Sequence, residues 1–259
     1  MRYDSNLNAA QDRADIRADT AATLNATGGF YYALSGADSL TLSVDARSEL
    51  YRRFHGMNDA AIGVGGAYRH KFGLGYAAPW LSLAVSASHD NYVGNIRDGE
   101  RLDWRAETGR RFSEAFDASF GGMHARRYAR NGEAVVPGVS GKVFDLHGET
   151  AFARAGYALS DQLHLGARVS VRRGDVVSTT RRNFEIFIAS DAIAPDPTFG
   201  DDFFAYRLRG TTQTASLSLS WALSERASLN LALADERTRA YEGLDYRGRV
   251  ANMTLAYSY

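Results

Sequence analysis

Apolar and polar residues alternate with a period of two along this chain, and the alternation restarts many times. From residue 40 one face reads Leu40, Leu42, Val44 and Ala46, and the other Thr41, Ser43, Asp45, Arg47 and Glu49. The pattern returns at Leu81, Leu83, Val85 and Ala87, at Leu163, Leu165, Ala167, Val169 and Val171, at Leu217, Leu219 and Trp221, and at Leu229, Leu231 and Leu233. It closes on Met253, Leu255, Tyr257 and Tyr259. Side chains alternate across a strand, so each segment reads as a strand with one apolar and one polar face. Charges at this density on the polar face disfavour a soluble sandwich. They predict a closed barrel with lipid outside and water or salt bridges within.

Turn signals punctuate the strands with one grammar: Leu34-Ser35-Gly36-Ala37-Asp38, Phe112-Ser113-Glu114-Ala115-Phe116, Leu159-Ser160-Asp161-Gln162-Leu163 and Leu223-Ser224-Glu225-Arg226-Ala227, with Gly73-Leu74-Gly75-Tyr76 as a fifth. Between them fall more variable connections, the longest at 131–141 and about 178–203. Short turns on one side and longer loops on the other are the asymmetry of outer-membrane barrels. The repeat is a hairpin of about 40 residues, without the signature of a solenoid or a propeller.

Strands are expected at 16–34, 39–53, 59–72, 79–93, 100–112, 116–130, 142–158, 163–177, 204–222, 227–240 and 244–259. Closure with both ends on the short-turn side requires one more, and only residues 2–8 are available. That segment is shorter than the roughly 9–11 residues a membrane strand needs. The expected fold is a single all-β domain over 1–259, an antiparallel up-and-down transmembrane barrel of twelve strands with a short or truncated first one.

The polar faces supply the candidate site. They place Arg47, Arg69, Lys71, Arg101, Asp103, Arg105, Glu107, Arg111, His147, Glu149, Arg168 and Arg172 as lumen-lining residues. In strand 142–158 the parity slips near Thr150, and a bulge there would give Phe152 and Tyr157 the same apolar side. An interior rich in both signs has two readings. One is a salt-bridged plug, the other a narrow polar channel whose arginines guide carboxylates or phosphates. Near-balance of charge argues against strong anion selectivity.

Trp80, Phe112, Phe116, Tyr157, Trp221, Tyr257 and Tyr259 lie near the short-turn ends and read as a membrane girdle, since interfacial Trp and Tyr settle at headgroup depth. His124, Arg126 and Arg130 fall on the outward parity near the other rim, where they read either as contacts to lipopolysaccharide phosphates or, equally, as snorkelling or solvated side chains. In the long loop, Arg182 to Ala189 is apolar enough to fold back on the rim or into the mouth, or to extend the neighbouring strands as a hairpin.

Composition narrows the classes. Formal net charge is zero over 259 residues, which does not point to nucleic acid. The absence of cysteine excludes disulfides and thiolate metal sites. Nearly all basic residues are Arg; the lysines are Lys71 and Lys142. Met1 is followed directly by Arg2 and Tyr3 without a leader pattern, so a mature or truncated form is expected. No catalytic set, cofactor or metal is read. His89, with Ser86 and Ser88 before it, is the one hint of an outer-membrane hydrolase, but Ser88 and His89 are adjacent and point to opposite faces.

The opening Tyr3-Asp4-Ser5-Asn6-Leu7-Asn8 resembles the start of barrel domains in bacterial outer-membrane export proteins, among them surface lipoprotein assembly modifiers and polysaccharide exporters. The terminal Tyr257-Ser258-Tyr259 resembles the signal read by the barrel assembly machinery. The resemblance implies the outer membrane and its lipids and lipopolysaccharide as surroundings, the assembly machinery as a partner through Tyr259, and an exported polymer or protein as a possible cargo. The functional expectation is a passive channel or translocation pore, lined by Arg and carboxylate side chains, for polar solutes or polymers, anionic ones included. A plugged barrel serving as an anchor or binding platform and an outer-membrane lipid hydrolase stand as alternatives.

Overall fold

The computed structural model describes residues 1–240 and 244–258. The strands are β1 (Arg2–Asp4), β2 (Asp19–Ala33), β3 (Asp38–Tyr51), β4 (Asp59–Lys71), β5 (Trp80–Tyr92), β6 (Gly99–Arg111), β7 (Phe116–Ala129), β8 (Leu146–Ala158), β9 (Leu163–Arg181), β10 (Ala192–Pro195), β11 (Phe203–Ala222), β12 (Ala227–Ala240) and β13 (Asp245–Tyr257). A five-residue helix, α1 (Phe184–Ile188), precedes β10. Neighbours pair antiparallel in chain order from β1 to β9. The β9–β11 and β13–β1 ladders then close a twelve-stave barrel, with β10 alongside β11 beyond the end of β12. β1 is the short stave, pairing over Arg2–Asp4 alone within the expected 2–8 segment.

The turn grammar has a common physical basis. In four of the short turns the serine hydroxyl accepts backbone N–H groups: Ser35 from Ala37 and Asp38, Ser113 from Phe116, Ser160 from Gln162, and Ser224 from Arg226 and Ala227. Such local side-chain bonds replace ladder bonds where the chain reverses.

The alternation sets the orientation of every stave. Leu42, Val44, Ile62, Val64, Leu83, Trp104, Phe120, Leu217 and Leu233 all point outward and are exposed. An apolar band of this extent is what lipid covers.

Two observations differ from the expected strands. The register of β8 with both neighbours is uninterrupted, so no bulge forms near Thr150; Phe152 points inward while Tyr157 points outward. And β9 and β11 run past the barrel, pairing Val176 to Arg181 with Leu208 to Phe203. The segment expected to be loop from 178 is therefore partly strand.

This β9–β11 ribbon roofs the loop-side mouth. One cluster joins Val176, Tyr206 and Leu208 to Ile186, Ile193, Leu244 and Tyr246, and a second joins Ala205 to Ala129, Val143, Phe144, Ala192 and Ala194. Burial of each large apolar side chain contributes about 1.5–3 kcal/mol. From there residues 196–200 reach the far side of the mouth, where Phe199 packs on Phe54 at 5.1 Å and Asp196 pairs with Arg97. The N-terminal segment joins the roof: the Asn8 amide donates to the Asp15 and Thr179 carbonyls, and Asn6 donates to Ala10 and Arg247. The Tyr3–Asn8 motif thus places Asp4, Asn6 and Asn8 on its buried side, stitching β1 to β13 and β9.

Candidate functional site

The site is the lumen, and its walls differ. Along the middle of β4 and β5 the inward residues are small, Ala61, Gly63, Gly65 and Ala67 beside Ser82, Ala84, Ser86 and Ser88, while Asp59, Arg69, Lys71, Trp80 and Asp90 take the inward positions toward the ends. The small residues leave hollows of about 350 Å³ beside Asp103 and Arg105 and about 440 Å³ beside Arg69 and Lys71. On β6 to β9 the inward positions carry arginine. Arg101, Arg105 and Arg111 come from β6, Arg127 from β7, Arg154 from β8, and Arg168 and Arg172 from β9. Acids gather across the lumen. Asp4, Glu49 and Asp59 are buried there, with Arg2 on Asp4 at 3.1 Å and Arg47 on Asp59 at 2.5 Å.

The basic wall is concentrated around Phe152. Arg105 and Arg168 each lie 4.8 Å from its ring centre and Arg154 lies at 5.7 Å. A guanidinium over an aromatic face is worth about 0.5–2 kcal/mol, so an apolar ring is stable at this inward position. Gly121, opposite Phe152 in register, makes room for it: a Cβ there would sit 2.8 Å from Phe152 Cζ. Glu107 is the acid of the cluster. It pairs with Arg105 at 2.5 Å and with Arg154, and accepts the Ser119 hydroxyl at 2.7 Å. Arg154 and Arg168 stand directly opposite each other on neighbouring strands, a like-charge arrangement that is unfavourable unless a negative group offsets it. Among the described residues no carboxylate forms an ion pair with Arg168.

Of the sequence-derived lining set, Arg47, Arg69, Lys71, Arg101, Asp103, Arg105, Glu107, Arg111, Arg168 and Arg172 take inward positions. His147 and Glu149 do not. They occupy the outward parity of β8, where Glu149 faces His124 at 3.9 Å and His147 contacts Asp175 at 2.7 Å. The even spacing of charges past Asp145 reads as a polar inner face, but it belongs to the outer surface above the apolar band. Arg126–Asp145 at 3.0 Å and Arg130–Glu100 at 3.2 Å sit on the same outer surface. Arg127 and Arg154 are inward arginines that the sequence-derived set lacks; within β7 Arg127 has the parity opposite to the outward His124 and Arg126, and within β8 Arg154 shares the parity of Phe152.

The girdle residues Phe112, Phe116, Tyr157, Trp221 and Tyr257 are exposed, outward-pointing and close to the short turns. Trp80 is the exception: it pairs with Lys71 and Gly109 on the inward parity, and Arg69 stacks on it at 4.2 Å. Tyr259 lies outside the described residues.

The hydrolase constellation does not assemble around His89. Its imidazole is outward, 3.5 Å from Glu100 and 3.2 Å from Asn91, while Ser86 and Ser88 face the lumen. Among the described residues no three His, Asp or Glu side chains converge as a metal site.

No family model and no curated protein matches this sequence. Among solved structures the chain is similar to an outer-membrane channel from Pseudomonas putida F1, with a TM-score of 0.60 at 11% identity, covering 93% of this chain and 84% of that one. It is also similar to the NanC porin, with a TM-score of 0.50 at 9% identity, covering 91% of this chain and 99% of the other. At these identities the likeness shows the fold, that of an outer-membrane barrel.

Proposed function

We propose that the protein is a passive channel of the bacterial outer membrane that takes small polar anions along the basic wall of its lumen. The observation that carries this reading is Arg168. It is held beside Arg154 and Arg105 without an acid of its own, in a barrel whose facing β4–β5 wall is lined along its middle by Gly, Ala and Ser. A carboxylate or phosphate passing there meets planar donors suited to bidentate hydrogen bonds. Acids elsewhere in the lumen hold the net preference to a modest one. In the same reading the outward charged rim, with His124, Arg126 and Arg130, meets lipopolysaccharide, and the segment ending at Tyr259 addresses the assembly machinery. An exported polymer is the alternative cargo suggested by the Tyr3–Asn8 resemblance.

The roof favours a second reading, a barrel closed at its outer mouth that serves as an anchor or platform. Single-channel recording in a planar bilayer under a salt gradient separates the two. A channel gives stable steps with a reversal potential on the anion side, and Arg168→Glu moves that potential toward cations. Insertion without conductance would leave the platform; conductance with a reversal potential indifferent to Arg168→Glu would remove the basic wall from the path.

A further inference from the structure

The loop side of the barrel holds an apolar cavity unlike the polar lumen below it. Where α1 and the β10–β11 pair meet the β7–β8 loop, a space of about 550 Å³ is lined by Val135, Val136, Phe184, Phe187 and Phe204, with Arg182 among them. Phe184 and Phe187 stack with ring centres 6.5 Å apart and planes at 6°, and Phe184 is 77% exposed. These residues lie on the loop side, in α1, the β7–β8 loop and the extension of β11 beyond β12, and Phe184, Phe187 and Val135 are exposed. Apolar surface of this kind, gathered around a concavity of ligand size, is the usual form of a small-molecule site. Its polar lining is Asn183, Tyr206 and one cation, Arg182. The Arg182 guanidinium lies 5.2 Å from the centre of the Phe204 ring, and among the described residues no carboxylate pairs with it.

We propose that this cavity binds a small amphiphilic carboxylate, with an aryl or short alkyl body against the phenylalanines and the carboxylate on the Arg182 guanidinium. Burial of the body supplies the non-directional part of the affinity, and the charge-assisted hydrogen bonds select the acid over a neutral analogue. The site does not rest on the channel reading, since a barrel that binds this ligand without conducting would retain it.

The test is calorimetric titration of 4-phenylbutyrate into the full chain in lipid nanodiscs, with empty nanodiscs subtracted and 4-phenylbutanol as the neutral control. Saturable binding of the acid is expected. Arg182→Gln should weaken it about tenfold, the scale of a lost charged hydrogen bond, and leave the alcohol unchanged. Phe184→Ala should weaken both. Both side chains are exposed, and sheet content by circular dichroism checks that each variant folds. The proposal is overturned by acid binding no stronger than to empty nanodiscs, by Arg182→Gln affecting acid and alcohol alike or neither, or by Phe184→Ala leaving both unchanged.

Discussion

Arg97, in the turn between β5 and β6, forms a buried ion pair with Asp196, which lies between β10 and β11 and 99 positions away. The Asp196 carboxylate also accepts the Thr179 hydroxyl at 3.2 Å, so one acid ties the β5–β6 turn to the end of β9 across the mouth. Removing one partner of a buried pair leaves an uncompensated charge and costs about 3–5 kcal/mol. The cost falls on the roof, because the barrel ladders make their own hydrogen bonds. Asp196→Ala should therefore speed protease cleavage within 182–202 while sheet content by circular dichroism is retained. Unchanged cleavage would show that the apolar clusters alone hold the roof.

Asn8 satisfies three backbone groups at once, donating to the Asp15 and Thr179 carbonyls and accepting the Arg17 N–H, all at 2.8 Å. Asn8→Ala leaves these buried groups without partners, each worth about 1–3 kcal/mol. The expected result is faster amide hydrogen exchange over residues 5–18 and 176–181, with the β3–β6 staves unaffected. Asn8→Asp keeps the acceptor and should protect the Arg17 N–H while leaving the Asp15 and Thr179 carbonyls without their donor, so exchange there should fall between that of the native protein and that of Asn8→Ala. Equal exchange in all three proteins would show that the N-terminal segment is held by other contacts.

How far the sequence carries depends on what decides each position. In β6 the alternation is unambiguous, with Leu102, Trp104 and Ala106 outward and Arg101, Asp103 and Arg105 inward, because the stave crosses lipid on one face and water on the other. In β8 the same counting misleads. His147 and Glu149 are outward but stand above the apolar band, where both faces meet water, and Phe152 is inward but covered by guanidiniums. Trp80 fails for the same reason, as Arg69 makes an inward ring favourable. Period two is a statement about solvent on each side, and it loses meaning at the rims and where cation–π contacts substitute for lipid. The roof was visible only as an apolar stretch in a long loop. Its contacts, such as Asp196 with Arg97 and Asn8 with Thr179, join residues too distant in sequence for any local pattern to reveal.

Phe152 is 5% exposed and organises the arginines around it. Phe152→Ala removes three cation–π contacts and a packed ring, at a cost of about 3 kcal/mol. It also frees space beside Gly121. Urea unfolding in bilayers should show the destabilisation, and in a conducting barrel the unitary conductance should rise. Phe152→Leu keeps most of the apolar bulk without a ring face, so its loss reports the cation–π share, about 0.5–2 kcal/mol. A Phe152→Leu protein as stable as the native one would mean that the ring is held by shape rather than by the arginines.

Leu217 and Ser218 are consecutive on β11 and face opposite sides, Leu217 exposed on the outer surface opposite Leu233 and Ser218 inward opposite Gly166 and Ala232. If lipid covers the outer surface, arginine at 217 places a charge in hydrocarbon, and the penalty near the bilayer midplane is about 2–4 kcal/mol. Arginine at 218 enters the polar interior beside two residues without bulk, Gly166 and Ala232, where polar groups surround its charge. Leu217→Arg should thus lower the stability of the barrel refolded into bilayers by that amount, and Ser218→Arg should change it by less than about 1 kcal/mol. In detergent micelles, which deform around a charge more readily, the gap between the two should narrow. A smaller loss for Leu217→Arg than for Ser218→Arg would invert the assignment of the two faces, and with it the membrane reading of the whole alternation.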